Sequence, residues 1–321
     1  MGKKIVLGVD IGGTNTKLGF VDKEGNILAH TSIATNAHHP AHEFFTRLNS
    51  EAKKLQHELP KDLELVGIGI GAPNGNYFKG TIEYPPNLSW GYVNVVQLLR
   101  QWYNIPIAIT NDANAAALGE MQFGAAKGMK HFIEITLGTG LGSGIVVDGA
   151  LVYGNDGFAG EIGHTIVDPN GRLCGCGRQG CLETYASAGG ICRTVEELKQ
   201  LRSTPSVLRS IPIEELTSKK VFEAAEAGDE LAKEAFEFTG KILGMKLADS
   251  VAHTSPEAII LFGGVAEAGE WIFAPTRRWL EHFLFPIFRN KVKLLHSGLP
   301  RGSAAILGSA ALIWNEIQMK N

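Results

Sequence analysis

The chain has 321 residues, 44% of them hydrophobic and 20% charged, with 39 glycines and four cysteines. That composition supports two ordinary globular domains, each with its own core, and excludes disorder as the default state. The net charge is −3 with Lys and Arg scattered, so no basic stripe is available to a nucleic-acid backbone, and no apolar run reaches the roughly 20 residues that span a bilayer. Small molecules are the expected partners, with neither nucleic acid nor membrane. The opening Met1-Gly2-Lys3-Lys4 runs straight into an apolar strand pattern rather than a signal peptide, so a cytoplasmic location is expected.

In chain order, residues 5–10 read as a buried strand, 12–16 as a glycine turn, 17–22 as a returning strand and 24–26 as a second turn before 27–29. The same order recurs at 131–137, 138–142, 143–147 and 148–149 before 150–152, which predicts a structural duplication with one copy opening each of two domains. Helical periodicity marks 42–56, 93–103, 113–123, 221–227, 231–251 and 304–318; further apolar strands fall at 65–70, 107–110 and 258–262. Residues 194–212 are the least periodic and read only as helix and loop. Strands alternating with helices predict two α/β domains with a cleft between them, divided near 115–125. The expected first domain is 1–118 joined by the last helix, 303–321, and the second is 119–302.

The chemistry-bearing residues concentrate in four places. Asp10-Ile11-Gly12-Gly13-Thr14-Asn15-Thr16-Lys17 sets glycines, a hydroxyl and a cation at a strand-to-strand turn, where free backbone N–H groups suit phosphate. An ordinary hairpin uses glycine in the same way, so this turn alone leaves both readings open. A second loop, Gly138-Thr139-Gly140-Leu141-Gly142, carries more glycine than a hairpin needs, and one such loop per domain could hold a triphosphate across the cleft. Neither has the Walker form or the dinucleotide fingerprint, because no helix follows directly.

Asn111-Asp112 places a carboxylate at the end of an apolar strand and the start of an Ala-rich helix, where active sites of open α/β sheets gather. Either residue could also simply cap that helix, and the two roles are compatible. His164, Cys174, Cys176 and Cys181 supply one imidazole and three thiols, the count of a closed tetrahedral zinc site with no open position, hence a structural Zn²⁺. Glu161, His164 and Glu183 bracket that cluster, and polar groups pinned to a rigid loop suit a polyhydroxyl ligand.

Together these residues resemble the ROK family of bacterial sugar kinases and sugar-responsive repressors over nearly the whole chain, most specifically in the spacing from Gly163 to Glu183. The resemblance implies the actin-like, ribonuclease-H-like two-domain ATPase fold. It also implies an ATP-dependent hexose kinase, glucokinase-like, with Mg²⁺ and with Asp112 as general base. By the same resemblance Gly12, Gly13, Thr14 and Lys17 form the first phosphate loop, Gly138, Thr139 and Gly140 the second, and Gly263 and Gly264 the adenosine loop. Asn87, Asn111, Asp112, Glu161, His164 and Glu183 would bind the sugar, with Gly71-Ala72-Pro73 nearby.

Repressors of the family carry a winged helix-turn-helix ahead of the first phosphate loop, whereas nine residues precede Asp10 here, so a kinase is expected. A sugar-sensing protein without turnover and a kinase for fructose, N-acetylglucosamine or N-acetylmannosamine are the alternatives. Pro73-Asn74-Gly75-Asn76 departs from the family's commoner Pro-Gly. Relatives are commonly dimers or tetramers, and a homodimer is expected.

Overall fold

A computed structural model describes residues 2–300 and 302–319; positions 1 and 320–321 of the expected first domain lie outside the described residues. Strands β1 (Lys3–Ile11), β2 (Asn15–Asp22) and β3 (Ile27–Ala34) form an antiparallel meander, followed by helix α1 (Ala41–His57) and by β4 (Leu63–Gly71), which pairs in parallel with β1. A small sheet of β5 (Gly75–Asn76), β6 (Thr81–Glu83) and β7 (Tyr92–Asn94) precedes the short helix α2 (Val95–Leu99). Strand β8 (Ile107–Thr110) then joins β4 in parallel and leads into α3 (Asp112–Phe123).

The second half repeats the plan. Its meander is β9 (Phe132–Leu137), β10 (Leu141–Val147) and β11 (Ala150–Leu151). Four helices follow, α4 (Glu183–Ala186), α5 (Ala188–Leu201), α6 (Ser218–Glu226) and α7 (Glu230–Thr254). Strand β12 (Ala258–Phe262), helix α8 (Glu270–Phe283) and β13 (Lys293–His296) complete it, and α9 (Ala304–Met319) ends the chain. The sheet orders, β3-β2-β1-β4-β8 and β11-β10-β9-β12-β13, are the same, and no described helix is long and apolar enough to cross a membrane.

Burial explains the layers. Phe44, Phe45, Leu48, Ala52 and Leu55 recur at helical spacing along α1 and cover one face of the first sheet with Val9, Phe20 and Ile70. Helix α9 is apolar nearly all round and covers the other face with Val6 and Val21. It can lie that close because Gly8 and Gly69 face it; a Cβ on either would run into the carbonyl of Ile306 or Ser309. On the second sheet, Ile133, Ile135 and Leu137 face α5, α7 and α8, whereas Phe132, Val146 and Ile260 face Ala117 of α3. Helix α3, buried from Ala113 to Glu120, therefore packs between the two sheets.

Several elements differ from the sequence pattern. Residues 93–103 begin as strand, because the Asn94 side chain accepts from the Gln97 N–H at 2.9 Å and starts the helix only at Val95. Helix α8 was hidden by Pro275 in its interior, which reads as a breaker; packing of Ile272, Phe273, Thr276 and Leu280 keeps it helical. Helix α5 extends to Leu201, taking in the first part of the weakly periodic stretch.

Candidate active site

The topology brings distant residues to one place. Because β1, β4 and β8 run parallel, with Asp10 opposite Gly71 and Gly71 opposite Thr110, their carboxyl ends deliver Asp10, the 71–73 turn and Asn111-Asp112 to one edge. In the second sheet, parallel β9 and β12 deliver the 138–140 loop and Phe262 in the same way. Helix α3 holds the edges together: a Cβ on Gly142 of β10 would stand only 2.8 Å from the Ala113 Cβ. Between them lies a cavity of about 450 Å³, lined from the first half by Asp10, Gly12, Gly13, Asn87, Asn111 and Asp112. Gly138, Thr139, Gly140, Glu161, His164 and Glu183 line it from the second.

The first loop is braced by Thr35, whose hydroxyl donates to the Gly12 carbonyl at 2.7 Å and whose N–H donates to the Thr14 carbonyl at 2.8 Å. Gly13 packs against Asn87; a Cβ there would sit 3.0 Å from the Asn87 Cβ. Of the two candidate caps, Asn111 is the N-cap of α3, its Oδ1 accepting from the Ala113 N–H at 2.9 Å, and Asp112 is the first helical residue. Solvent in the cavity reaches Asp112, yet protein encloses it on the remaining sides, and this desolvation raises its pKa against the Ala113 N–H that donates to Oδ1 at 2.9 Å. Asp10 is pushed up to about 7, first by burial and then by the nearby charge of Asp112, with Lys17 pulling the other way. Behind them Glu134 is fully buried and held well above the carboxylate range by desolvation, accepting from the Thr136 hydroxyl at 2.9 Å.

The second loop is held by a carboxylate. Glu183 Oε2 accepts from the Leu141 N–H at 3.1 Å and fills the space beside Gly140, where any Cβ would collide with it. The Ala188 N–H donates to the Gly138 carbonyl at 2.8 Å. Ser143 donates its hydroxyl to the Gly160 carbonyl and accepts from the Ile162 N–H at 3.3 Å, which fixes the segment that carries Glu161 and His164. Burial raises the Glu161 pKa, opposed by His164 and reinforced by Asp112 and Glu183.

Behind Glu183 the ligand atoms of His164, Cys174, Cys176 and Cys181 all lie within 4.8 Å of one another. Cys174 Sγ is 3.7 Å from His164 Nδ1, and Cys176 Sγ is 3.6 Å from Cys181 Sγ. A tetrahedron built on Zn–S bonds of about 2.3 Å has edges of about 3.8 Å, so this donor set fits that ion. The backbone at Arg178 pulls the Cys176 thiol down to about 6, while burial pushes Cys174 up to about 12. The cluster touches the cavity wall, since the Cys174 thiol also donates to Glu183 Oε1 at 3.6 Å and Arg178 Nη2 donates to the His164 carbonyl at 2.8 Å.

Four expected residues stand outside the cavity wall: Thr14, Lys17, Gly263 and Gly264. Lys17 Nζ donates instead to the Gly302 carbonyl at 3.3 Å, and Gly263, at φ +99°, packs against the Leu137 backbone. Conversely, Asp10 is expected from the sequence only as part of the first phosphate turn, and Ser143 only as part of the second loop and the strand after it, with no role of their own. Asp10 carried a usable signal, a carboxylate at the end of an apolar strand, the same one that marks Asp112.

Comparisons with known proteins agree with this architecture. A family model described as the ROK family matches residues 6–316. A glucokinase of Halalkalibacterium halodurans is 36% identical, covering 89% of this chain and 88% of its own. The crystal structure of a ROK family glucokinase from Streptomyces griseus in complex with glucose and AMPPNP superposes with a TM-score of 0.80 at 34% identity, covering 96% and 98% of the two chains. A xylose repressor of Caldicellulosiruptor bescii is 29% identical over 97% of this chain and 78% of its own. With the family model spanning nearly all of its length, the chain, an actin-like α/β protein with two five-stranded sheets of one strand order, belongs to the ROK family.

Proposed function

We propose that this protein transfers the terminal phosphate of ATP to a hydroxyl of a hexose, glucose before others, with Asp112 as the general base. The observation that carries the reading is the single cavity in which both glycine loops meet Asp112 and the polar groups of Asn87, Asn111, Glu161, His164 and Glu183. The likeness to a glucokinase solved with glucose and AMPPNP supports the choice of both substrates.

In this reading Gly13, Thr139 and Gly140 turn backbone N–H groups toward the phosphates, while the Gly12 and Gly138 N–H groups close their own turns, with Lys17 and the 263–264 loop at the nucleotide's periphery. Asn111, Glu161, His164 and Glu183 orient the sugar, and Asp112, its pKa raised by desolvation, accepts the proton of the 6-hydroxyl as that oxygen attacks phosphorus in line. Asp10 suits Mg²⁺: its carboxyl, pushed up to about 7 by burial and by the nearby charge of Asp112, is relieved by a dication, which leaves Asp112 free to act as the base. Bound there, Mg²⁺ would neutralise phosphate charge.

Zn²⁺ on His164, Cys174, Cys176 and Cys181 would be structural, since four protein ligands leave no open position. With His164 Nδ1 turned to the cluster, Nε2 is left for the sugar. The lobes are read as 1–118 with 303–321 and 119–302, closing on the hexose to exclude water, which is itself a phosphoryl acceptor. A cytoplasmic homodimer completes the proposal.

The likeness to a xylose repressor favours one rival, a sugar sensor without turnover. A coupled ADP-release assay over glucose, fructose, mannose, N-acetylglucosamine and N-acetylmannosamine separates the readings. Glucose is expected to give the highest kcat/KM; another sugar in first place would overturn the glucose assignment, and no ADP with any of them would favour the sensor.

A further inference from the structure

Asn74 stands in the 73–76 turn, immediately after the residues that β4 delivers to the cavity edge, and is one of the residues that line the cavity. Its backbone is left-handed, with φ +51°. Asparagine tolerates that conformation better than most residues, yet glycine adopts it at less cost, so the conformation alone does not call for Asn.

What an asparagine adds is a donor. Its Nδ2 donates to the carbonyls of Glu83 at 3.0 Å and Tyr84 at 3.1 Å, and the Glu83 N–H returns a bond to the Asn74 carbonyl at 3.1 Å. Tyr84 is itself left-handed, at φ +47°, and its N–H donates to the Gly91 carbonyl at 2.7 Å. Both ends of this turn are therefore tied down, and three residues beyond Tyr84 comes Asn87, the side chain against which Gly13 of the first glycine loop packs.

From this geometry we infer that Asn74 is a positioning residue that sets the 84–87 wall of the hexose site through its amide and fixes where Asn87 meets the sugar. The inference rests on the kinase reading above and adds to it a determinant of hexose affinity that does not itself need to touch the sugar. Removal of the amide frees the wall on the sugar side and leaves both glycine loops in place, since Thr35 braces the first, against which Asn87 only packs, and Glu183 and Ala188 brace the second.

Two variants separate the amide from the backbone conformation. Asn74→Gly keeps the left-handed turn and deletes both donors; Asn74→Asp keeps size and conformational preference but turns an acceptor toward two carbonyl oxygens. Glucose binding by titration calorimetry, KM for glucose, KM for ATP and Tm are compared with the unaltered protein. The expected result is glucose affinity weakened about tenfold in Asn74→Gly and at least as much in Asn74→Asp, with KM for ATP within about twofold. Unchanged glucose affinity in either variant, or an equal loss for glucose and ATP, would overturn the inference. Because binding is read apart from turnover, a protein that bound glucose without phosphorylating it would sink the kinase reading and leave this comparison of affinities standing.

Discussion

The two sheets share one strand order, and in each a glycine loop follows the first strand of the meander, yet the loops are held by different means. The first is braced from within its own sheet, by Thr35 just after β3. The second leans on Glu183, a carboxylate that belongs to the cysteine loop and not to the repeated unit. What is repeated builds the scaffold and supplies Asn111 and Asp112; what is inserted, the small β5–β7 sheet in one half and the segment from Glu161 through the cysteine loop in the other, supplies Asn87, Glu161, His164 and Glu183, the other groups proposed to grip the sugar. The halves should therefore respond differently to change, and the residue where they meet should matter most.

That residue is Asp112, which opens the helix packed between the sheets. Asp112→Asn preserves size and any capping oxygen while removing the charge that takes the proton, so kcat is expected to fall by on the order of 10² to 10⁴ with the fold intact by circular dichroism. Near-normal turnover in a folded variant would move the search for a base to Glu161 or Glu183.

Cys176→Ser tests the half that depends on the cluster. The purified variant should lose zinc by elemental analysis, melt at lower temperature and show glucose kcat/KM reduced about 10- to 100-fold, because Glu183 and His164 lose their anchor. A zinc-free protein with unchanged Tm and KM for glucose would remove the metal from the account.

A smaller effect follows from protonation. Desolvation raises the Asp112 pKa, and a base works only when ionised, so activity is complete above that raised value and falls tenfold per unit as pH drops through it. The acid limb of kcat/KM should thus lie above the ordinary aspartate value of about 3.9 and disappear in Asp112→Asn. A limb at the ordinary value would mean that the cavity does not desolvate the carboxyl.

The smallest expected change sharpens the contrast from the other side. Thr35→Val deletes the donor to the Gly12 carbonyl and the partner of the Thr16 hydroxyl 2.9 Å away, at a cost of about 1–3 kcal/mol in stability. KM for ATP should rise more than KM for glucose; the reverse order would mean that the first loop serves the sugar.

The paired meanders were legible in the sequence because strand alternation and glycine turns are local signals. The small sheet was not, since strands of two or three residues carry no period. Helix α8 was obscured for the opposite reason, a strong local breaker at Pro275 outweighed by packing that only the fold supplies. The spacing of His164, Cys174, Cys176 and Cys181 could be read because the cysteines lie close in sequence, and their ligand atoms do come together. That Asp10 would stand near enough to Asp112 to raise its pKa could not be read, because it depends on the register of β1, β4 and β8.

The central claim is that the cavity between the two loops moves a phosphoryl group from ATP to a hexose. Phosphorus NMR of the protein with ATP, Mg²⁺ and glucose tests it most directly. The account predicts a phosphomonoester on the glucose 6-oxygen appearing mole for mole with ADP. ATP left intact, or ADP accompanied by inorganic phosphate with no sugar ester, would contradict it.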